Sequence, residues 1–238
     1  MQSAENWFVN TAAGRYVAER EQRFLAQHTG RADEICVQLG GGWVRPSEHM
    51  LCVPEHLQTD CLQTAFASCS IDRLILPHSH EYSGMPFMVL AEAVRVLSHG
   101  GRLVLTGFNP HSLWGKSAWF DGTCLPEAAS RITLPRLKQE AARLGLEMEY
   151  GKFMVYVPPV ASEAALNRWG FLEKAGDRWW PQWAAVYGLV LVKRMAGVRP
   201  LDEAAGFLAQ EPAVAVGLAK AARADLDLKE AECPNYPK

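Results

Sequence analysis

The sequence predicts an α/β protein built on a doubly wound sheet, mostly parallel with an antiparallel last strand. Three observations carry that prediction. A chain of 238 residues, 49% of them hydrophobic, is enough for one domain whose sheet is covered on both faces. The stretch from Asp72 to Pro110 reads as strand, helix, tight turn, strand, because the apolar run Leu74 to Leu76 precedes an amphipathic helix (Met88, Leu90, Ala91, Val94, Leu97). The pair Gly100-Gly101 then leads into a second apolar run, Leu103 to Leu105. Near the end, Leu146 to Val157 alternates apolar and polar residues and Trp183 to Arg194 is strongly apolar, which suits two strands paired at an antiparallel edge.

In chain order, Gly14 to His28 is charged and amphipathic, with Tyr16, Val17, Phe24 and Leu25 near helical spacing, and predicts an N-terminal helix. Glu34 to Leu39 and His49 to Val53 predict two short strands separated by the glycine-rich loop Gly40 to Pro46. Pro54 to Ala67 fits either a short strand or an extended loop. The βαβ unit follows, with strands at 72–77 and 102–107 around a helix at 85–98. Phe108 to Ile132 holds prolines, glycines and aromatics without period and predicts a long loop of the kind that covers an active site. Helices are expected at Pro135 to Leu144 and Ser162 to Lys174. Residues 1–196 are expected to form the main domain and 197–238 an Ala-rich helical or frayed tail.

Composition narrows the functional classes. A formal charge of -2 argues against a broad nucleic-acid surface. The opening M-Q-S-A-E-N-W-F does not read as a secretory signal, and the most apolar segment, Trp183 to Val192, is about half the roughly 20 residues of a membrane span. The six cysteines show no C-x-x-C pair and no zinc-finger spacing, so they are expected to be reduced, packed thiols in a cytoplasmic protein. No metal is expected: His78 and His80 lack a clear third ligand. Ligands of such sheets lie at the carboxyl ends of the strands, which places Pro77, His78, Asn109 and Pro110 at the expected site.

The text S-I-D-R-L-I-L-P-H-S-H-E-Y, followed by E-A-V-R-V-L-S-H-G-G-R-L-V-L-T-G-F-N-P-H-S-L-W-G, resembles the class I S-adenosylmethionine-dependent methyltransferases, and among them the type 11 methyltransferase-domain proteins. The resemblance covers about residues 14 to 194. It implies a Rossmann-like sheet of seven strands, S-adenosylmethionine as cofactor and a small or medium-sized molecule as methyl acceptor. The family's first motif, an acid and then G-x-G-x-G, falls on Gln38, Gly40, Gly42 and Val44, so two glycines match and the acid does not. Gln38 offers the cofactor's ammonium a neutral oxygen, a weaker acceptor by roughly 1 kcal/mol. The first crossover, Val44 to His49, leaves almost no room for the family's helix.

The resemblance further assigns the ribose hydroxyls to Glu55 and the adenine amino group to Asp60, sets Pro77 among the cofactor-binding residues, and makes His78 a general base or substrate-steering residue. Each has a structural alternative: a solvated acid for Glu55 and Asp60, a packing histidine for His78. Asn109-Pro110 reads better as an Asx turn than as a clamp on a target nitrogen. Trp114, Trp119 and Phe120 could line a pocket or pack the loop; the indole-dense Arg178 to Trp183 suggests base stacking or a membrane-surface contact, but with few basic neighbours it reads better as a packed aromatic cluster. Gly40-Gly41-Gly42 does not continue into a dinucleotide fingerprint, since Arg45 and Pro46 follow. Two functions remain: methyl transfer, or a non-catalytic binding protein that keeps the fold without the cofactor. They differ in whether the space beside Gly40 and Asp60 is open or filled by Trp43 or its neighbours.

Overall fold

The computed structural model describes residues 2–53, 57, 59–116, 125–126, 130–160 and 162–194. The expected C-terminal tail lies outside them. The described sheet has six strands: β1 (Cys36–Leu39), β2 (Leu51–Val53), β3 (Ile71–Pro77), β4 (Leu97–Phe108), β5 (Leu146–Met154) and β6 (Val186–Lys193). Their spatial order is β2-β1-β3-β4-β6-β5. The first four run parallel, and β6 lies antiparallel between β4 and β5, so the last strand alone is reversed.

The two sheet faces separate by strand alternation. On one, Leu74, Leu76, Leu103, Leu105, Leu189 and Leu191 pack with helices α4 (Pro86–Val96) and α6 (Leu134–Arg143). On the other, Ile75, Val104, Val186 and Val190 meet the N-terminal helices α1 (Gln2–Asn10) and α2 (Ala12–Ala26) and Leu166 of α7 (Glu163–Arg168). Helix α2 matches the expected helix, shifted by two residues. Helix α1 was not anticipated. Thr11 makes the joint: its hydroxyl oxygen accepts from the Gly14 N–H at 2.9 Å and caps α2, while the hydroxyl donates to the Trp7 carbonyl at 2.8 Å.

The expected helix at 162–174 is broken by a 3-10 turn, Trp169–Phe171, after which α8 (Leu172–Trp179) continues. Two short helices, α3 (Ser79–Tyr82) and α5 (Leu113–Lys116), follow β3 and β4.

Two departures from the seven-strand expectation shape the site. No helix joins β1 to β2, and residues 40–50 cross between them in turns. Among the described residues no strand lies outside β2. Instead Asp60 makes an isolated bridge with Gln63. The following loop is tied to α4: the Glu92 carboxylate accepts from the Thr64 N–H and hydroxyl, both at 2.7 Å, and Arg95 donates to the Phe66 carbonyl and the Ser68 hydroxyl. Glu92 and Arg95 thus hold residues 64–68 as a loop, the second of the two readings of Pro54 to Ala67.

The cysteine expectation also changes. Cys36 and Cys61 are free thiols, but Cys69 is disulfide-bonded, so the cysteines give no argument for a reducing compartment. No helix among the described residues is long and apolar enough to cross a membrane.

Candidate functional site

The carboxyl ends of β1, β3 and β4 meet at one edge, where the loop after β1 opens with Gly40 and Gly41 in left-handed backbone (φ 76° and 70°). Only glycine adopts that conformation readily. The Gly41 backbone presses on the Pro77 ring, which would lie 2.5 Å from any Cβ there. Gln38 is buried beneath the loop, and its amide nitrogen donates to the carbonyls of Gly40 (2.8 Å), Gly41 (3.0 Å) and Val44 (3.1 Å). Three carbonyls converging on one side chain require a donor. An acid at 38 would face them as a second acceptor, which explains why an amide stands at the position of the family's carboxylate.

His78 follows β3 in left-handed backbone, φ 54° and ψ 2°, and is fully buried. Its Nε2 lies 2.5 Å from a Glu21 carboxylate oxygen of α2, and its Nδ1 lies 2.7 Å from Glu81 of α3. Burial lowers the imidazole's proton affinity, but the two carboxylates outweigh it and raise its pKa to about 10, so the ring is an imidazolium at neutral pH. Glu81 accepts from the Phe108 N–H at 2.8 Å through its other oxygen, and Glu21 from the Trp43 indole N–H at 3.2 Å. Burial pushes the Glu81 carboxyl up against the pull of these donors. Both nitrogens of His78 are engaged and the ring has no exposure, so as described it is the centre of a buried charge cluster joining α2, α3 and β4. In this arrangement it cannot take a proton from a substrate.

Next to it, burial and then the His78 charge lower His80 to about 3. Its Nε2 is 3.4 Å from the Tyr187 hydroxyl, and its Nδ1 is among the buried atoms without a partner.

Helix α1 lies over this edge. Phe8 stacks on Trp43 with ring centroids 3.9 Å apart and planes 5° from parallel, and its ring is 5.4 Å from His78. Trp7 meets Phe108 and Trp114 edge-on. The Glu5 carboxylate stands 3.2 Å from where a Cβ on Gly42 would be. Glu5, Phe8 and Trp43 of the same chain therefore crowd the loop at which the resemblance places the cofactor.

The structure brings Gln38, Gly40, Gly42, Pro77 and His78 together. The Asp60 carboxylate accepts from the Leu62 N–H at 3.0 Å in its own exposed turn. Glu55 lies outside the described residues, as do Trp119 and Phe120. Asn109 takes the turn role: its amide donates to the Gln182 and Ala184 carbonyls and its oxygen accepts from the His111 N–H. Trp114 packs the loop down, donating from its indole to the Val157 carbonyl at 2.6 Å.

The sequence reading missed Glu21, Glu81, Glu5 and Phe8. A signal existed for the first two: Glu21 stands at helical spacing between Val17 and Phe24 on an otherwise apolar stripe, and Glu81 lies one helical turn after His78.

The strand order and reversed last strand are those of the class I S-adenosylmethionine-dependent methyltransferases, and solved structures bear this out. A chain from the structure described as the complex between the Haloferax volcanii Trm112 methyltransferase activator and the putative methyltransferase superposes with TM-score 0.53 at 12% identity, covering 83% of this chain and 99% of that one. A Thermotoga maritima S-adenosylmethionine-dependent methyltransferase, described as a possible histamine N-methyltransferase, gives 0.54 at 15%, with 80% and 94% covered. The [4+2]-cyclase SpnF gives 0.51 at 12%, with 74% and 81% covered. At such identities the likeness shows the fold, and the fold alone does not fix a reaction. In sequence, 63 residues are 41% identical to YafS, an uncharacterised protein of Escherichia coli K12, so the match spans about a quarter of each chain. No family model matches the chain.

Proposed function

We propose that this chain keeps the methyltransferase fold as a binding scaffold and that its own N-terminal helix takes the place of the cofactor. One observation carries this: Phe8, almost fully buried, is stacked on Trp43 over the glycine loop beside His78. The Gln38 amide tied to three loop carbonyls and the doubly bonded His78 agree with it. The second reading, S-adenosylmethionine-dependent methyl transfer to a small or medium-sized molecule, is supported by the glycine turn and the β3 and β4 ends sharing one edge. It requires α1 to leave, which exposes Phe8 at a cost of about 2 kcal/mol for that side chain alone.

Calorimetric titration of the full chain and of Phe8→Ala with S-adenosylmethionine and S-adenosylhomocysteine separates the two. The scaffold reading expects no heat from either protein at millimolar ligand. Micromolar binding by the full chain overturns it in favour of an enzyme, and binding by Phe8→Ala alone shows a working cofactor site plugged by α1.

A further inference from the structure

The indole-rich segment read as a packed cluster is not packed. Trp179, Trp180 and Trp183 are 67%, 54% and 59% exposed, and Phe171 is 62% exposed. Trp169 adds a fifth aromatic, its ring 5.9 Å from that of Phe171. This is a large apolar surface for one short stretch of a folded protein.

Bases outnumber acids on the exposed side of the stretch. Glu173, half-buried, accepts from the Tyr16 hydroxyl at 2.8 Å and pairs with Arg20, while Asp177 is exposed and accepts from the Tyr156 hydroxyl at 3.4 Å. Its bases turn outward. Arg168, Lys174 and Arg178 are exposed, and Arg178 lies 5.8 Å from the Trp179 ring centroid. Lys174 and Arg178 share the solvent face of α8 with Phe171, opposite Gly176, whose backbone is pressed against the Tyr156 ring.

We infer that the 3-10 turn and α8, with Trp180 and Trp183 beyond, form a docking surface for an anionic lipid bilayer. Indoles settle at the headgroup boundary, where an apolar body and a polar N–H are both satisfied. Basic side chains among them, Arg168, Lys174 and Arg178, meet the negative surface of such a membrane and outnumber the one exposed acid of the stretch, Asp177, which accepts from the Tyr156 hydroxyl. The surface lies beside the carboxyl edge, joined to it by the bonds from Asn109 to Gln182 and Ala184. The inference is independent of whether S-adenosylmethionine binds.

The test is co-sedimentation of the full chain with vesicles of phosphatidylglycerol and phosphatidylcholine in equal parts, against pure phosphatidylcholine, with tryptophan emission recorded alongside. The surface predicts sedimentation with the anionic vesicles, a blue-shifted emission, and loss of binding as salt rises. The Lys174→Glu, Arg178→Glu variant should lose roughly tenfold or more of its partitioning, and Trp179→Ser, Trp180→Ser should lose the blue shift. All four side chains are exposed, so both variants should melt with the parent protein. A chain left in the supernatant, equal partitioning into neutral vesicles, or undiminished binding by the charge-reversed variant overturns the inference. Concentration-dependent dimerisation without vesicle binding assigns the surface to a second copy and overturns it equally.

Discussion

Replacing Glu21 with Gln removes one of the two charges on the buried His78 ring while keeping the side chain's shape. A rise of the imidazole from 6.5 to about 10 corresponds to roughly 5 kcal/mol of added stability for the protonated ring. Two carboxylates share that ring at 2.5 and 2.7 Å, so losing one should cost about half, on the order of 2 kcal/mol. For a chain of this size the melting midpoint should fall by about 4 to 8 °C. The pH dependence follows from the direction of the shift. The folded pKa lies above the unfolded one, so the contribution is complete below pH 6.5 and fades as pH rises through about 10. In the variant the folded value is lower, so the alkaline loss begins earlier. Urea midpoints of both proteins, measured at intervals between about pH 6 and pH 10, check this. Equal midpoints, or alkaline losses at the same pH, would refute the claim that Glu21 holds a charged His78.

Gln38→Glu restores the acid of the family's first motif but places a carboxylate against three carbonyls, and should destabilise by about 3 kcal/mol or more at neutral pH. The loss should shrink as the pH falls and the new acid protonates, which denaturation at two pH values reads directly. Gly41→Ala combines a φ of 70° with a collision against Pro77, so it should lower the melting midpoint by several degrees, where Gly170→Ala, with open space around it, should change it by about 2 °C at most. Glu92→Ala frees the Thr64 N–H and hydroxyl and removes the partner of Arg95, with an expected loss of about 2 to 4 kcal/mol. Hydrogen exchange should localise that loss to residues 59–70.

The unit β3, α4, β4 was legible because its signals are local: a continuous apolar run, helical spacing and a glycine pair whose Gly100 takes φ 77°. The course of residues 59–68 was not, since it was decided by Glu92 and Arg95 reaching back to a stretch whose own pattern fitted either a strand or a loop. The edge that carries His78 could be placed from the order of elements. Its closure could not, because Glu21 and Phe8 come from helices far away in the chain, and nothing in the opening residues announces what they cover. The indole-rich segment was misjudged for a related reason: a count of aromatics does not say which way they face. Gly176 fixes that, and its role rests on Tyr156, which lies outside the segment.

The fit of Phe24 against Gly188 bears on how the chain folds. A Cβ at Gly188 would lie 2.5 Å from the Phe24 ring, so α2 seats on β6, the last strand of the described sheet. Helix α2 therefore finds this seat only after nearly all the other described elements have been made. Until then the end of α2 that carries Phe24 lacks its β6 seat, even where Glu21 has already met Trp43 and His78, so docking of that end is a late step of assembly.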